Sequence, residues 1–104
     1  LYAQQGQLQR ASGYLERAIA LRPDYAEALN NLGVLFVRGQ DLARAEKQFK
    51  TGIRVAPQYD QPYLNLARLY AMKNDRQKAR EVILELLRVQ PGDAAAKQAL
   101  EMLQ

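Results

Sequence analysis

Residues 29–57 read LNNLGVLFVRGQDLARAEKQFKTGIRVAP, and residues 63–91 read YLNLARLYAMKNDRQKAREVILELLRVQP. The two stretches stand 34 residues apart and match in the placing of their apolar residues. The same step carries proline through positions 23, 57 and 91, and alanine through 11, 45 and 79. A fixed period of this length predicts a stack of supersecondary units, because each unit is too small to bury its own apolar face.

Two helices are expected in each unit. In residues 29–36 and again in 42–53, apolar positions recur at the three- and four-residue spacing of one helix face. The turn between them falls at residues 39–41, whose leading glycine is expected to take the left-handed conformation that ends a helix. The second helix is expected to end before Pro57, since the residue preceding proline disfavours helical geometry. Residues 60–93 repeat this plan and no stretch reads as a strand, so the sequence predicts an all-α fold.

Aspartates stand where helices are expected to begin, and their side chains can accept hydrogen bonds from the unpaired backbone N–H groups there. We expect Asp24, Asp41, Asp60 and Asp93 to act in this way. Glu27, three residues after Asp24, would complete a capping box.

The front of the chain reads as the second half of an earlier unit. Gly6 is expected to mark its turn, with residues 1–5 the remnant of the preceding helix. Leu8, Leu15 and Ile19 would then lack a partner helix, and we expect an exposed apolar patch there, covered by upstream sequence or by self-association. Because the chain opens on leucine rather than methionine, it is expected to be a fragment of a longer protein.

The composition excludes several kinds of site. The chain has no cysteine and no histidine, so disulfides, zinc ligation and catalysis through these residues are excluded, and no cofactor is expected. Its net charge of +4 comes from basic residues interspersed with acids, whereas a nucleic-acid surface needs clustered Lys and Arg, so no nucleic-acid partner is expected. No apolar run reaches the length of a membrane span, so membrane insertion is not expected either. The compartment stays open, with the cytoplasm favoured.

The recurring residues resemble the tetratricopeptide repeat (TPR), a helix-turn-helix unit with the pattern W-x₂-L-G-x₂-Y…A-x₃-F…P. The first match is carried by Leu29, Leu32, Gly33, Phe36, Ala45, Phe49 and Pro57. The second is carried by Tyr63, Leu66, Ala67, Tyr70, Ala79, Ile83 and Pro91. The resemblance implies an α-solenoid of antiparallel helix pairs wound into a right-handed superhelix. It divides a single domain, residues 1–104, into a partial repeat (1–25), two full repeats (26–59 and 60–93) and a C-terminal capping helix (94–104).

The departures from the pattern carry expectations of their own. Leu86 stands where the other units have a small residue, so the packing beside it is expected to be looser or shifted. Lys97 and Glu101 replace residues of the core stripe, so the last helix is expected to have one apolar face only, as a cap needs. That face comprises Ala96, Ala99, Leu100 and Leu103.

The resemblance also implies that a partner binds along the concave face, which the first helix of each unit lines. The residues expected there lie opposite the core stripe: Glu27, Asn31, Val34, Arg38, Gln61, Asn65, Arg68 and Met72. Asn31 and Asn65 could bond the main chain of a peptide whatever its sequence, or bond a neighbouring helix instead. Arg38 and Arg68 could hold a carboxylate or remain solvated.

The resemblance raises two further expectations about this face. Some members of the family clamp a C-terminal carboxylate with a set of Lys, Asn and Arg residues. Asn31 matches one member of that set, but Gln61 and Asn65 stand where basic residues would be expected. On the last helix, Met102 is expected in the same row as the concave residues, beside the small Ala95 and Ala99.

Three functions stay open. The leading hypothesis is a noncatalytic interaction module that binds a peptide or helix of a partner protein. The first alternative is a structural element that forms a homo-oligomer through the uncapped front end. The second is an accessory domain that positions a substrate for an enzyme elsewhere in the same protein. No constellation of residues predicts catalysis within the chain itself.

Overall fold

Six α-helices and no strand make up the described part of the chain. The computed structural model describes residues 2–103, and side chains from residue 6 onward. In chain order the helices are α1 (Tyr2–Leu21), α2 (Ala26–Arg38), α3 (Leu42–Val55), α4 (Asp60–Met72), α5 (Arg76–Val89) and α6 (Ala94–Leu103). α2 pairs with α3 and α4 with α5, while α3 packs on α4, α1 on α2, and α6 on α5. The predicted all-α repeat solenoid is confirmed.

The first helices form the inner layer of the stack. α2 contacts α4 and α4 contacts α6, whereas the second helices α3 and α5 do not contact each other in the described residues. Elements that touch lie on the inside of a bend, and elements that separate lie on its outside. The stack therefore curves around α2, α4 and α6, and their solvent-facing sides form the concave face.

The front of the chain differs from its prediction. α1 is one continuous helix, and Gly6 lies within it, so the turn predicted at Gly6 is wrong. An isolated glycine costs a helix only about 1 kcal/mol relative to alanine, and the glutamines around it are good helix formers. Leu1 and the side chain of Tyr2 lie outside the described residues.

The apolar patch expected on α1 is smaller than predicted. Leu8, Leu15 and Ile19 are half-buried, because α1 packs on α2. From residue 6 onward, the exposed large apolar residues of this helix are Tyr14 and Leu21.

The turns inside the two full units share one geometry. In the first, the Asp41 N–H donates to the Phe36 carbonyl over 2.8 Å, and the corresponding bond one period later measures 2.9 Å. In this kind of helix end, the residue just before the N–H donor takes the left-handed conformation. That residue is Gln40 (φ 63°), with Asn74 (φ 62°) as its counterpart. Gly39, the C-cap residue of α2, has φ −82°, so the left-handed conformation predicted for Gly39 is wrong.

The connections between units fix where the first helices begin. After each recurring proline, the second residue donates its N–H back across the turn to the carbonyl of the residue before that proline. The residues in this position are Tyr25, Tyr59 and Asp93, and each directly precedes a first helix. Asp93 alone has a side chain that can cap, and its Oδ1 accepts from the Ala96 N–H over 2.9 Å.

Two of the four predicted caps are therefore correct. Asp93 caps α6, and Asp41 caps α3 by accepting from the Arg44 N–H over 3.2 Å. Asp24 lies one residue before the cap of α2, and Asp60 is the first residue of α4, so neither caps its helix. The capping box predicted for Glu27 does not form, since its predicted partner Asp24 is not the N-cap residue of α2.

Each unit is held together by two residues of matched size where its helices cross. A Cβ on Gly33 of α2 would lie 2.7 Å from Cδ1 and 2.9 Å from Cζ of the Phe49 ring on α3, inside van der Waals contact. Phe49 is itself fully buried, so the ring has little room to move. One period later the two positions hold Ala67 and Ile83, both buried. A larger residue on the first helix is thus matched by a smaller one on the second, and the predicted close approach at Gly33 is confirmed.

The junctions between units also place a small residue against a larger one, although the summed size differs from one junction to the next. A Cβ on Gly52 of α3 would lie 3.2 Å from Cγ of Pro62 on α4. One period later these positions hold Leu86 on α5 and Ala96 on α6, and neither has measurable exposure. The large residue has moved from the first helix to the second. The packing at Leu86 was expected to be looser or shifted. The structure shows a shift, because the larger residue of the pair is now on the second helix.

A polar cluster on the outer side ties the two full units together. The Glu46 carboxylate of α3 accepts from the Tyr70 hydroxyl over 2.9 Å and pairs with the ammonium groups of Lys50 at 2.8 Å and Lys73 at 3.7 Å. The hydrogen bond from Lys50 is the largest influence on the pKa of Glu46, and with Tyr70 and Lys73 it holds that pKa below its usual value against the opposing effect of partial burial.

The Gly33–Phe49 contact predicts opposite effects of one substitution at two glycines. Gly33→Ala should lower the unfolding free energy by about 1–3 kcal/mol, because the buried ring must shift. Gly13→Ala, on α1 where a Cβ would meet nothing within 4 Å, should instead raise it by about 0.5–1 kcal/mol. Urea denaturation of both variants measures the difference. A Gly33→Ala variant as stable as Gly13→Ala would show that the helices do not cross at this residue.

The Glu46 cluster predicts a pH-dependent contribution to stability. Because the pKa of Glu46 is lower in the folded chain than in the unfolded one, its stabilisation is fully present above the unfolded pKa and is lost as the pH falls through the folded pKa. Glu46→Gln should therefore be less stable than the native chain at neutral pH, and the gap should close towards about pH 3. The control is Glu81→Gln, which removes an exposed acid with no ion-pair partner among residues 6–103. Denaturant melts at a series of pH values test this, and a gap independent of pH would refute the role of Glu46.

Candidate functional site

The structure divides the eight residues predicted for the concave face into two groups. Six have exposed side chains: Glu27, Asn31, Arg38, Gln61, Arg68 and Met72. The other two, Val34 and Asn65, are half-buried at the junction of α2 and α4. Six of the eight side chains are therefore open to solvent, and the packing of α2 on α4 covers part of the other two.

The two asparagines predicted to act alike have different surroundings. The Asn65 amide of α4 donates from Nδ2 to Oδ1 of Asn30 on α2 over 2.9 Å. Asn30 is buried, and the sequence analysis did not single it out. Asn31 is exposed and makes no side-chain hydrogen bond within residues 6–103. Of the two possibilities open for Asn65, the bond to a neighbouring helix is the one that forms, whereas the amide of Asn31 is free for a ligand.

Arg68 lies at the centre of the face. Its guanidinium reaches Oδ1 of Asn65 at 3.5 Å, the outer limit of a hydrogen bond, and it has no ion-pair partner among residues 6–103. Its side chain is exposed. A guanidinium with this much unused bonding capacity is suited to a carboxylate from outside the chain.

Part of the predicted set surrounds one small cavity. Val34, Asn65, Arg68 and Met72 line a space of about 70 Å³ between α2 and α4. Glu27 and Arg38 are not part of it, since they stand at opposite ends of α2, roughly 16 Å apart along the helix axis. The eight side chains are therefore spread over an elongated surface and do not meet at a single point.

A larger groove, which we call the α4–α6 slot, lies on the same face. It measures about 410 Å³, and its lining includes Arg68 from α4 together with Met102, Ala95 and Ala99 from α6. The three α6 residues were predicted in this row from the helix spacing, and they line the groove together with Arg68. Leu64, Ala71 and Gln98, which complete much of the lining, were not predicted. The available signal was the alanine-rich start of α6, which leaves space wherever a neighbouring unit does not fill it.

The chemistry of the face is that of recognition. Its groups are amides, guanidinium ions, the Glu27 carboxylate and apolar side chains; the amides can bond a main chain, the guanidinium ions can hold a carboxylate, and the apolar side chains can bury an aliphatic group. No group of His, Cys, Asp and Glu within residues 6–103 could hold a metal ion. In the part of the chain that the structure describes, none of the helices combines the length and apolar character that a bilayer crossing requires.

Comparisons with known proteins agree with the repeat pattern. Two family models, both described as tetratricopeptide repeat, match residues 1–60 and 40–103. Among solved structures, the chain is similar to the first TPR domain of Spaghetti (RPAP3), which was solved bound to an HSP90 peptide of sequence SRMEEVD. The two share a TM-score of 0.80 and 17% sequence identity, over 98% of this chain and 83% of that one. No curated protein gives a significant match.

The contrast between the asparagines predicts unequal effects on stability. Asn65→Ala removes the donor to buried Asn30 and should lower the unfolding free energy by about 1–3 kcal/mol. Asn31→Ala removes an exposed amide and should change it by no more than about 0.5 kcal/mol. Thermal or urea melts of the two variants measure this, and equal stability would mean that Asn65 is not used inside the fold.

Proposed function

Because the chain belongs to the tetratricopeptide repeat family, we propose that it is a noncatalytic interaction module that binds an extended segment of a partner protein along the concave face of α2, α4 and α6. The observation that carries the proposal is the set of exposed polar groups on that face that make few or no hydrogen bonds within residues 6–103. Asn31 on α2 and Arg68 on α4 both have free bonding capacity and stand on helices that touch each other.

The shape of the face favours a chain-like ligand. Its polar residues are spread along α2 and across to α4, and the cavity between these two helices measures only about 70 Å³. An amide such as Asn31 can both donate to and accept from a peptide main chain, whatever the side chains of that peptide. A guanidinium such as Arg68 adds preference for an acidic residue.

The likeness to the Spaghetti domain suggests a first probe. Since that domain holds the peptide SRMEEVD, the same peptide is a reasonable starting ligand for this chain. Gln61 and Asn65 stand where a clamp for a C-terminal carboxylate would have basic residues, and Asn65 is already bonded to Asn30. We therefore expect acidic side chains within a segment to bind more strongly than a terminal carboxylate.

The test is a selection followed by affinity measurements. A displayed dodecapeptide library is panned against the chain, and the selected peptides, with SRMEEVD beside them, are measured by fluorescence polarisation. The double variant Asn31→Ala/Arg68→Ala should lose at least about tenfold in affinity, which corresponds to 1.4 kcal/mol. Asn65 is left intact because its loss would also weaken the fold.

The matched control removes one arginine and one amide from the second helices. Arg54→Ala/Gln77→Ala changes two exposed residues of α3 and α5 and should keep the affinity of the native chain. An equal loss of peptide affinity in both double variants, or no loss in either of them, would contradict the proposal. If the chain selects no peptide and its sedimentation mass rises with concentration, self-association through α1, where Tyr14 and Leu21 are exposed, becomes the better account.

A further inference from the structure

The α4–α6 slot exists because small residues replace larger ones at a junction that is otherwise repeated. One period earlier, between α2 and α4, the side chains of Val37, Gln61 and Asn65 occupy the corresponding positions. In the slot these positions hold Ala71, Ala95 and Ala99.

The difference in filling is large. Between α2 and α4 the asparagine side chain spans the junction to Asn30, and the space that remains is about 70 Å³. Between α4 and α6 the corresponding residue is Ala99, which has no polar group to form this bridge, and the open space is about 410 Å³. The α4–α6 junction is therefore a place where the chain leaves apolar surface uncovered beside its own core.

The slot has one charged wall. Arg68 is the only ionisable residue that lines it, and its guanidinium has no carboxylate partner within residues 6–103. Met102, which is 78% exposed, stands on the side supplied by α6 and offers a flexible apolar contact. An apolar floor beside a free guanidinium fits a ligand with an aliphatic group next to an anion.

The slot is continuous with the proposed peptide surface. Arg68 lines both the slot and the smaller cavity between α2 and α4, so a ligand chain that leaves the slot passes onto the face that carries Asn31. Continuity with that surface favours a peptide segment over an isolated small molecule.

We propose that the α4–α6 slot binds an aliphatic side chain of the partner segment, and that an acidic side chain next to it pairs with Arg68. This inference rests on the proposed function and deepens it, because it assigns the ligand chemistry and makes the capping helix α6 part of the binding site. The aliphatic residue supplies affinity because its apolar surface is buried from water, and the carboxylate fixes the direction of the segment across the face.

Blocked dipeptides test the chemistry directly. Acetyl-Leu-Glu-amide, acetyl-Ala-Glu-amide and acetyl-Leu-Gln-amide are titrated into the isotope-labelled chain while methyl and backbone resonances are followed by NMR. The Leu-Glu probe should shift the methyl groups of Ala71, Ala99 and Met102, and the Ala-Glu probe should bind about tenfold more weakly, because it buries less apolar surface. The Leu-Gln probe should also bind more weakly, since it brings no charge to Arg68.

Variants of the slot separate its parts. Ala99→Leu fills the space from α6 and should abolish binding of the Leu-Glu probe, whereas Ala94→Leu, an exposed position of the same helix outside the slot, should not. Ala71→Leu fills it from α4 and serves if Ala99→Leu is poorly folded. Arg68→Gln should remove the preference for Glu over Gln and keep the preference for Leu over Ala.

The outcomes distinguish this inference from the function on which it rests. Equal binding of the Leu and Ala probes, shifts confined to other helices, or full binding by Ala99→Leu would each overturn it. If library peptides bind the chain through Asn31 and Arg68 but ignore Ala99→Leu, the slot assignment fails and the interaction module stands. If neither library peptides nor dipeptides bind, both fail.

Discussion

The fold depends on how closely two helices can approach where they cross. At the first crossing, α2 has no side chain at Gly33, and the Phe49 ring of α3 fills the space that results. Protein interiors are packed too densely to tolerate an extra methyl group at such a point. The spacing of the helix pair is therefore set jointly by two residues, one from each helix. Every later unit must reproduce this spacing if the stack is to continue.

Where the two helices of a unit cross, the repeat keeps the summed size of a pair more strictly than its identities, whereas the pairs at the junctions between units differ in summed size. The crossing in the second unit holds Ala67 with Ile83, and the junctions hold Gly52 with Pro62 and then Leu86 with Ala96. At the α4–α6 edge, small residues meet small residues, and the groove beside Ala99 is the result. The proposed binding site thus lies where the facing residues are both small and leave the space between the helices unfilled.

Much of the fold could be predicted from the sequence, because the repeat period and the helical spacing of apolar residues depend on residues close together in the chain. Helices α2 to α6, the turns inside the two full units and the small residue at Gly33 belong to this class. The misplaced caps have a specific reason, since the hydrogen-bonded turn after each proline, and not the nearest aspartate, decides where the next helix begins. The continuous α1 has another: one glycine, Gly6, is too weak a signal to break a helix that its neighbours favour.

The candidate site was less predictable because it depends on side chains from different units. Helical geometry placed Asn65 on the concave face, but only the structure shows Asn30 within hydrogen-bond distance of it. The slot beside Arg68 likewise arises from residues about thirty positions apart in the chain, whose sizes are informative only once their helices are known to be neighbours.

A double-mutant cycle in the second unit tests the pairing of sizes most directly. Ile83→Phe overfills the space beside Ala67, Ala67→Gly leaves a cavity beside Ile83, and the two changes together recreate the pair found at Gly33 and Phe49. Measured by urea denaturation, each single change should lower the unfolding free energy, and the double variant should recover about 1 kcal/mol or more relative to their sum. Losses that simply add would contradict the claim that paired sizes hold the repeats together.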